Sequence, residues 1–312
     1  MARTSTDPLA GITVCERGWL SANNVLIHAA PGEAGALLVD TSHVNHAAQT
    51  QALVAQALAG RPLARIVNTH LHSDHCGGNA ALQRAFGVPV AIPPGLAAAV
   101  QAWDEDALSY RATGQRMAPF RHDALIRAGE VLRAGGRDWE LVAAPGHDPD
   151  MLMLFDRARG VLLSADALWE NGFGVIFPEV AGEPGFEDQQ AVLECIARLP
   201  VKLVVPGHGR PFVDVDAALE RARTRLQGFR KDPARHAQHA VKVLVKYHLM
   251  EEGAQPLADL LAWGERTPLL HGLWLRHPPS GVHSPRAWLE RVVGELAQAG
   301  ALRVDGDRVL DA

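Results

Sequence analysis

The sequence predicts a layered α/β domain followed by a small, mostly helical unit that resembles a winged helix. Three observations carry this expectation. Short apolar strands alternate with helix-like segments up to about residue 216. Strand signals then stop and helical patterns take over. The chain finally closes on a capped helix and a short hairpin. The expected division is a catalytic domain over residues 1–216 and a helical, winged-helix-like domain over 217–312.

The elements follow in order. "NNVLIHAA" (23–30) and "GALLVDT" (35–41) flank a Pro/Gly turn and read as a hairpin. The Ala- and Leu-rich stretch 46–58 reads as a helix. "ARIVNTH" (64–70) reads as a buried strand that ends in a cluster of histidines. A helix over 78–86 and a strand over 88–92 come next, and residues 93–130 read as mostly helical and polar. Strand patterns return at 138–144, 151–156 and 160–166. A Gly/Phe/Pro-rich loop spans 171–186, a helix 188–199 and a last strand 201–209. Near the end, Ser284 is an N-cap and Pro285 occupies the first helical position. Trp288, Val292 and Leu296 share a face of that helix, Gly300 stops it, and Asp305-Gly306 supplies a hairpin turn.

Composition narrows the class. The chain has 312 residues, 47% hydrophobic and 21% charged, which is ample for a full core. No apolar run is long enough to span a membrane. The opening "MARTSTDPLAG" has no apolar stretch of the secretory kind. Three scattered cysteines argue against a disulfide framework and fit a reducing, cytoplasmic setting. A net charge of −5 argues against a general polyanion binder.

The chemistry concentrates in "NTHLHSDHCGG" (68–78). His70 and His72 are two apart at a strand end, so both can face one ion. Asp74 and His75 lie in the turn beyond and can face a second. Imidazole and carboxylate suit zinc. Gly77 and Gly78 allow the backbone to turn tightly beside the site. More ligands are expected from two Pro-Gly-His turns that follow strands, at His147 and His208. Another is Asp166, a carboxylate that ends an apolar strand and would be costly to bury unpaired.

In this order, His-x-His-x-Asp-His, Gly-His, strand-end Asp and Gly-His, the chain resembles the metallo-β-lactamase superfamily over about residues 20–212. The resemblance implies an αββα sandwich with a dinuclear site. His70, His72 and His147 would hold the first metal, Asp74, His75 and His208 the second, and Asp166 would bridge them. It also implies a buried supporting role for Asp40. Relatives that bind two irons and handle oxygen carry glutamate where this chain has His72, so nitrogen-rich ligation points to two zinc ions, with iron or manganese also possible. A metal-activated hydroxide would attack the substrate, and Asp74 would act as the catalytic residue, orienting that hydroxide and carrying a proton. Cys76 reads as a buried thiol, not a ligand. Most of the other ten histidines read as surface or partly buried side chains with no ligand role.

The substrate must come from the site walls. The insert 93–120 and the loop 169–186 are candidate walls, with Trp169, Phe173 and Phe177 as apolar lining. The favoured substrate is a small thioester, ester or lactone, as for glyoxalase II-like members. A nucleic-acid hydrolase is the alternative. Arg221 to Lys246 carries eight basic residues against Asp232, and with "PGHDPDM" and the possible wing it resembles the β-lactamase-like endoribonucleases. The basic run reads more readily as a solvated helix face. Lactonases acting on acyl-homoserine lactones carry tyrosine three residues after the bridging aspartate, where this chain has Trp169.

Overall fold

The computed structural model describes residues 7–312, so the first part of the N-terminal reading lies outside the described residues. Six strands form one sheet in sequential order: β1 (Ile12–Cys15), β2 (Asn24–Ile27), β3 (Ala36–Val39), β4 (Leu63–Val67), β5 (Val90–Ile92) and β6 (Ala124–Leu125). β1, β2 and β3 pair antiparallel, and the rest run parallel. The parallel steps are bridged by α1 (Ala47–Leu58) between β3 and β4, then by the one-turn helix α2 (Ser73–Cys76) and α3 (Asn79–Phe86) between β4 and β5. Two short helices, α4 (Ala97–Ala102) and α5 (Tyr110–Thr113), lie between β5 and β6.

The second sheet has the order β11-β10-β9-β8-β7 and comprises β7 (Val131–Ala134), β8 (Arg137–Ala143), β9 (Leu152–Asp156), β10 (Val161–Ala165) and β11 (Leu203–Pro206). Helices α6 (Phe177–Ala181) and α7 (Phe186–Arg198) connect β10 to its parallel partner β11.

The strand sequences explain the layering. Alternate residues point to opposite faces, and in the central strands β2, β3, β9 and β10 both faces are covered, so these read as nearly continuous apolar runs. Val25 and Ile27 of β2 pack with Leu37 and Val39 of β3 and with Leu152 and Leu154 of β9 in the core between the sheets. Leu26 and Leu38 face the opposite way, onto Val54 and Leu58 of α1. Met153 and Phe155 face Val192 and Ile196 of α7 and Leu219 of the following helix. The result is helix, sheet, sheet, helix: the αββα sandwich expected above.

Beyond it lie α8 (Val215–Lys231), α9 (Pro233–Glu252), β12 (Gln255–Pro256), α10 (Leu257–Arg266), α11 (Pro268–Arg276), α12 (Pro285–Gln298), β13 (Leu302–Asp305) and β14 (Arg308–Asp311). Ser284 caps α12, its hydroxyl accepting from the Ala287 amide, and Trp288, Val292 and Leu296 are buried. The terminal hairpin gains a third strand, giving the order β12-β14-β13. α8 packs in the sandwich core, whereas α9 to β14 have a core of their own, which Val175, just before α6, and Val180 of α6 join.

Two expectations change. Residues 93–130 are less helical than their alanine content suggests. α4 stops at Trp103, which adopts a left-handed conformation, and α5 is a single turn closed by Gly114. The histidines outside the cluster are not all at the surface, since His43, His236 and His248 are buried.

Burial of histidine has a measurable consequence. Burial first, then the charge of Arg225, pushes His236 down to about 4 and His239 down to about 3. In the unfolded chain both titrate near 6.5. Between these values the unfolded chain binds more protons, so stability is full above pH 6.5 and falls as the pH drops toward 4. Urea midpoints should decline from pH 7 to pH 5, and the decline should be shallower in a His236→Gln/His239→Gln variant. Equal slopes in both proteins would rule these two groups out as the source.

Candidate metal centre

All seven sequence-predicted ligands meet at one edge of the sandwich, on the segments that leave its strands. β4 ends at Val67, three residues before His70, so it is the extended loop and not the strand that presents His70 and His72. Asp74 and His75 follow on α2. His147 lies in the turn after β8, Asp166 directly after β10, and His208 two residues after β11. Ala165 holds a left-handed φ of 46° at the end of β10, and Asp40 and Ser42 have φ of 57° and 67°. Strained backbone of this kind gathers where a site must be aimed.

The side chains form two groups. His70, His72 and His147 make one, and Asp74, His75, Asp166 and His208 make the other, with ligand atoms in each group within 4.8 Å of one another. His72 Nδ1 lies 3.1 Å from His70 Nε2 and 2.7 Å from His147 Nε2. Asp166 stands between the groups, with Oδ1 3.4 Å from His75 Nε2 and Oδ2 3.4 Å from His147 Nε2. His208 Nε2 is 3.0 Å from Asp74 Oδ2.

Outer contacts orient these rings. His147 Nδ1 is 2.6 Å from the Val175 carbonyl, which can only accept, so Nδ1 carries the proton and Nε2 turns a lone pair inward. His75 Nδ1 is 2.7 Å from Asp40 Oδ2, and Asp40 also accepts from the Thr69 amide and hydroxyl. His75 Nε2 is buried without a hydrogen-bond partner among the described residues. Asp40 is therefore a support that aims His75, as the resemblance implied.

Electrostatics favours a cation here. Burial, joined by neighbouring imidazoles, brings His72 and His147 down to about 4 and His70 well below its ordinary value, so all three are neutral at pH 7. Burial would raise Asp74, but His75 and His208 outweigh it and bring the carboxyl to about 2. Burial likewise opposes charge on His75, yet Asp166, Asp40 and Asp74 hold it well above the usual value. Three neutral nitrogens converging beside ionised carboxylates match the donor set of a metal centre.

Gly207 is required by space alone. A Cβ there would fall inside the van der Waals radius of Asp166 Oδ1 and 3.0 Å from His75 Cε1. Gly77 and Gly78 are similar: their φ of −61° and −81° suit any residue, but a side chain would strike the backbone of the segment 41–44. A Gly207→Ala variant should fold, bind metal roughly tenfold or more weakly and lose activity in proportion, checked by circular dichroism and a metal titration. Wild-type affinity would remove this argument.

Cys76 is fully buried, within 3.3 Å of the His72 carbonyl and 3.5 Å of the Tyr110 hydroxyl, and burial pushes its thiol up. It is a buried thiol, as read from the sequence, and burial of this kind disfavours the reactive thiolate.

A cavity of about 400 Å³ opens over the two groups. Trp169 and Phe177 line it, but Phe173 does not. Phe173 is 1% exposed and packs in the core beneath the loop. Of the insert 93–120, Gln115 lines the cavity. One further wall comes from α9 through His239, Val243, Leu244 and Tyr247. Tyr247 also reaches the metal loop, its hydroxyl 2.8 Å from Ser73 Oγ. Trp19, 58% exposed, stacks on His208 with ring centroids 5.4 Å apart and meets Trp169 edge-on. Neither Trp19 nor Tyr247 was singled out from the sequence, because neither belongs to a motif.

The basic run on α8 and α9 is largely committed to internal partners. Arg221 donates to the Glu170 carbonyl at 2.8 Å, Arg230 pairs with Glu187 at 2.8 Å, Lys242 with Glu295 at 2.9 Å, and Lys246 with Asp311. The turn of the β13–β14 hairpin carries Asp305 and Asp307.

This fold and site define a metal-binding αββα protein with ligands on the loops at one edge of its paired sheets. The family profile described as the Metallo-beta-lactamase superfamily matches residues 17–208, and the chain belongs to that superfamily. Among curated proteins it is similar to a hydroxyacylglutathione hydrolase of Synechococcus sp., 32% identical over 152 residues, covering 45% of this chain and 52% of that protein. It is also similar to the human acyl-coenzyme A thioesterase MBLAC2, 26% identical over 164 residues, covering 49% and 58%. The matches thus span little more than half of either relative. Among solved structures, a metallo-beta-lactamase family protein from Thermus thermophilus shares the fold over 98% of this chain and 100% of its own, at 19% identity and a TM-score of 0.59. Among the described residues, no helix is long and apolar enough to cross a membrane.

Proposed function

We propose that the protein is a dinuclear metal-dependent hydrolase acting on a small-molecule thioester, ester or lactone. The observation that carries this reading is the pair of ligand groups joined through Asp166 on the floor of the cavity. His70, His72 and His147 would hold one metal, and Asp74, His75 and His208 the other, with Asp166 shared. The nitrogen-rich donor set favours zinc. Metals at this site supply a Lewis acid and a water whose pKa falls from about 15.7 toward about 7.

The chain's own groups do the rest. Asp40 and the Val175 carbonyl fix the faces that His75 and His147 present. Asp74, ionised and bonded to His208, is placed to orient the attacking oxygen and carry a proton toward the leaving group. Trp169, Phe177, Val243 and Leu244 keep water from the acyl side of the cavity. The names of the curated relatives, an acylglutathione hydrolase and an acyl-coenzyme A thioesterase, support a thioester ahead of the other acyl groups. The division at residue 216, the winged-helix reading of α9 to β14 and a cytoplasmic setting are part of the same proposal. The separate core of α9 to β14 supports a second unit, with α8 packed on the sandwich, and three free cysteines support the cytoplasmic setting.

The test combines metal analysis with a panel of thioester, lactone, phosphodiester and single-stranded RNA substrates, with Asp74→Ala as the blank. Thioesters should be cleaved fastest. Metal-loaded wild type no faster than Asp74→Ala on every substrate would end the reading, and preferential cleavage of RNA would replace it with the nucleic-acid alternative.

A further inference from the structure

Arg225 of α8 is set apart from the other basic residues of its segment. It is half-buried, with its guanidinium carbon 5.5 Å from the ring centroids of both Phe173 and Phe229. Its polar partners are neutral. Nη2 donates to His239 Nε2 at 2.6 Å, and Nη1 is 3.5 Å from the Asn171 carbonyl. His239 can accept because burial and Arg225 itself keep it neutral. No carboxylate among the described residues lies within 4.0 Å of Arg225, whereas Arg230, Lys242 and Lys246 each have one. Burial lowers the Arg225 pKa with no acid to offset it. A cation held away from water without a counter-charge is unfavourable unless something supplies that charge.

Its position says where the charge would come from. Arg225 and His239 line the same cavity as His72, Asp74 and Asp166. The guanidinium fork matches carboxylate and phosphate oxygens, and the phenylalanines and His239 hold it in one orientation. We infer that Arg225, oriented by His239, recognises an anionic group, a carboxylate or phosphate, on the part of the substrate remote from the reacting bond. The inference rests on the hydrolase reading for the identity of the reacting bond only, because anion recognition can be measured without turnover.

The experiment uses the metal-loaded full chain and three thioethers that cannot be hydrolysed: S-methyl-coenzyme A, S-methylglutathione and the neutral S-methyl-N-acetylcysteamine. Binding is measured by calorimetry to wild type, Arg225→Gln and Arg225→Lys. Arg225→Gln should bind the preferred anionic probe at least roughly tenfold more weakly and the neutral probe within about twofold of wild type, with Arg225→Lys between. Preference for the coenzyme A probe assigns the site to phosphate, and preference for the glutathione probe assigns it to carboxylate. If Arg225→Gln fails to fold, Arg225→Lys and the salt dependence of wild type decide. Anionic probes should weaken as salt rises, and the neutral probe should not. The inference is overturned if neither anionic probe binds wild type, if Arg225→Gln binds both as well as wild type, if it loses the neutral probe equally, or if salt affects all probes alike. Binding of an anionic probe without cleavage of any panel substrate above the Asp74→Ala blank would leave the anion site standing and remove the hydrolase reading.

Discussion

Asp166→Asn should cost the protein both its metal content and its catalysis, with activity falling roughly a hundredfold to a thousandfold. The carboxylate lies 3.4 Å from His147 of the first group and 3.4 Å from His75 of the second, one oxygen toward each. Asparagine keeps its shape and removes its charge, so two cations would face each other with less negative charge between them. A second readout separates lost metal from lost chemistry. Metal bound to the native state stabilises it by mass action, so added zinc should raise the wild-type melting temperature. The variant should fold, by circular dichroism, yet respond little to zinc. A variant with the full metal complement and wild-type turnover would show that Asp166 is not the shared ligand.

Asp40→Asn should act at longer range, on one metal and not on both. Asp40 Oδ2 receives the Nδ1 proton of His75, so Nε2 is the nitrogen turned inward, where a metal would take the place of its proton. An asparagine turned to offer its amide there would require His75 Nδ1 to accept, moving the ring proton to Nε2, where it blocks a metal. The expected result is about a tenfold to hundredfold loss of affinity at the group of Asp74, His75 and His208, with the His70, His72 and His147 group nearly intact. Titration against a coloured chelator should then resolve about one tight equivalent in place of two. Unchanged affinity for both equivalents would mean that the contact with Asp40 is only structural.

The candidate ligands are legible in the sequence because they obey local rules. His70 to His75 are too dense in titratable groups for an ordinary loop, and His147 and His208 repeat one Pro-Gly-His turn. Asp166 ends a strand too apolar to leave a carboxylate unpaired. The partners that tune them obey no local rule. Asp40 and His75 are 35 residues apart, and Ser73 and Tyr247 are 174 apart. Only folding makes such pairs neighbours. Phe173 shows the same limit on a smaller scale. Its loop is rich in aromatics, but Trp169 bridges Gly172, whose φ of 130° turns the next side chain down into the core beneath Arg225. The strands Val131–Ala134 and Gln255–Pro256 escaped notice because one is half-exposed between charged turns and the other is two residues ending in proline.

The cavity draws its floor and one of its walls from stretches of chain that pack in different hydrophobic cores. The reacting groups lie between His70 and His208, while His239, Val243, Leu244 and Tyr247 sit on a helix packed mainly with its C-terminal neighbours. Val243 and Leu244 therefore shape the cavity from outside the metal loop, whereas Tyr247, bonded to Ser73, ties α9 to it. Preference can drift, or be engineered, through a handful of helical positions while the reaction itself is inherited unchanged.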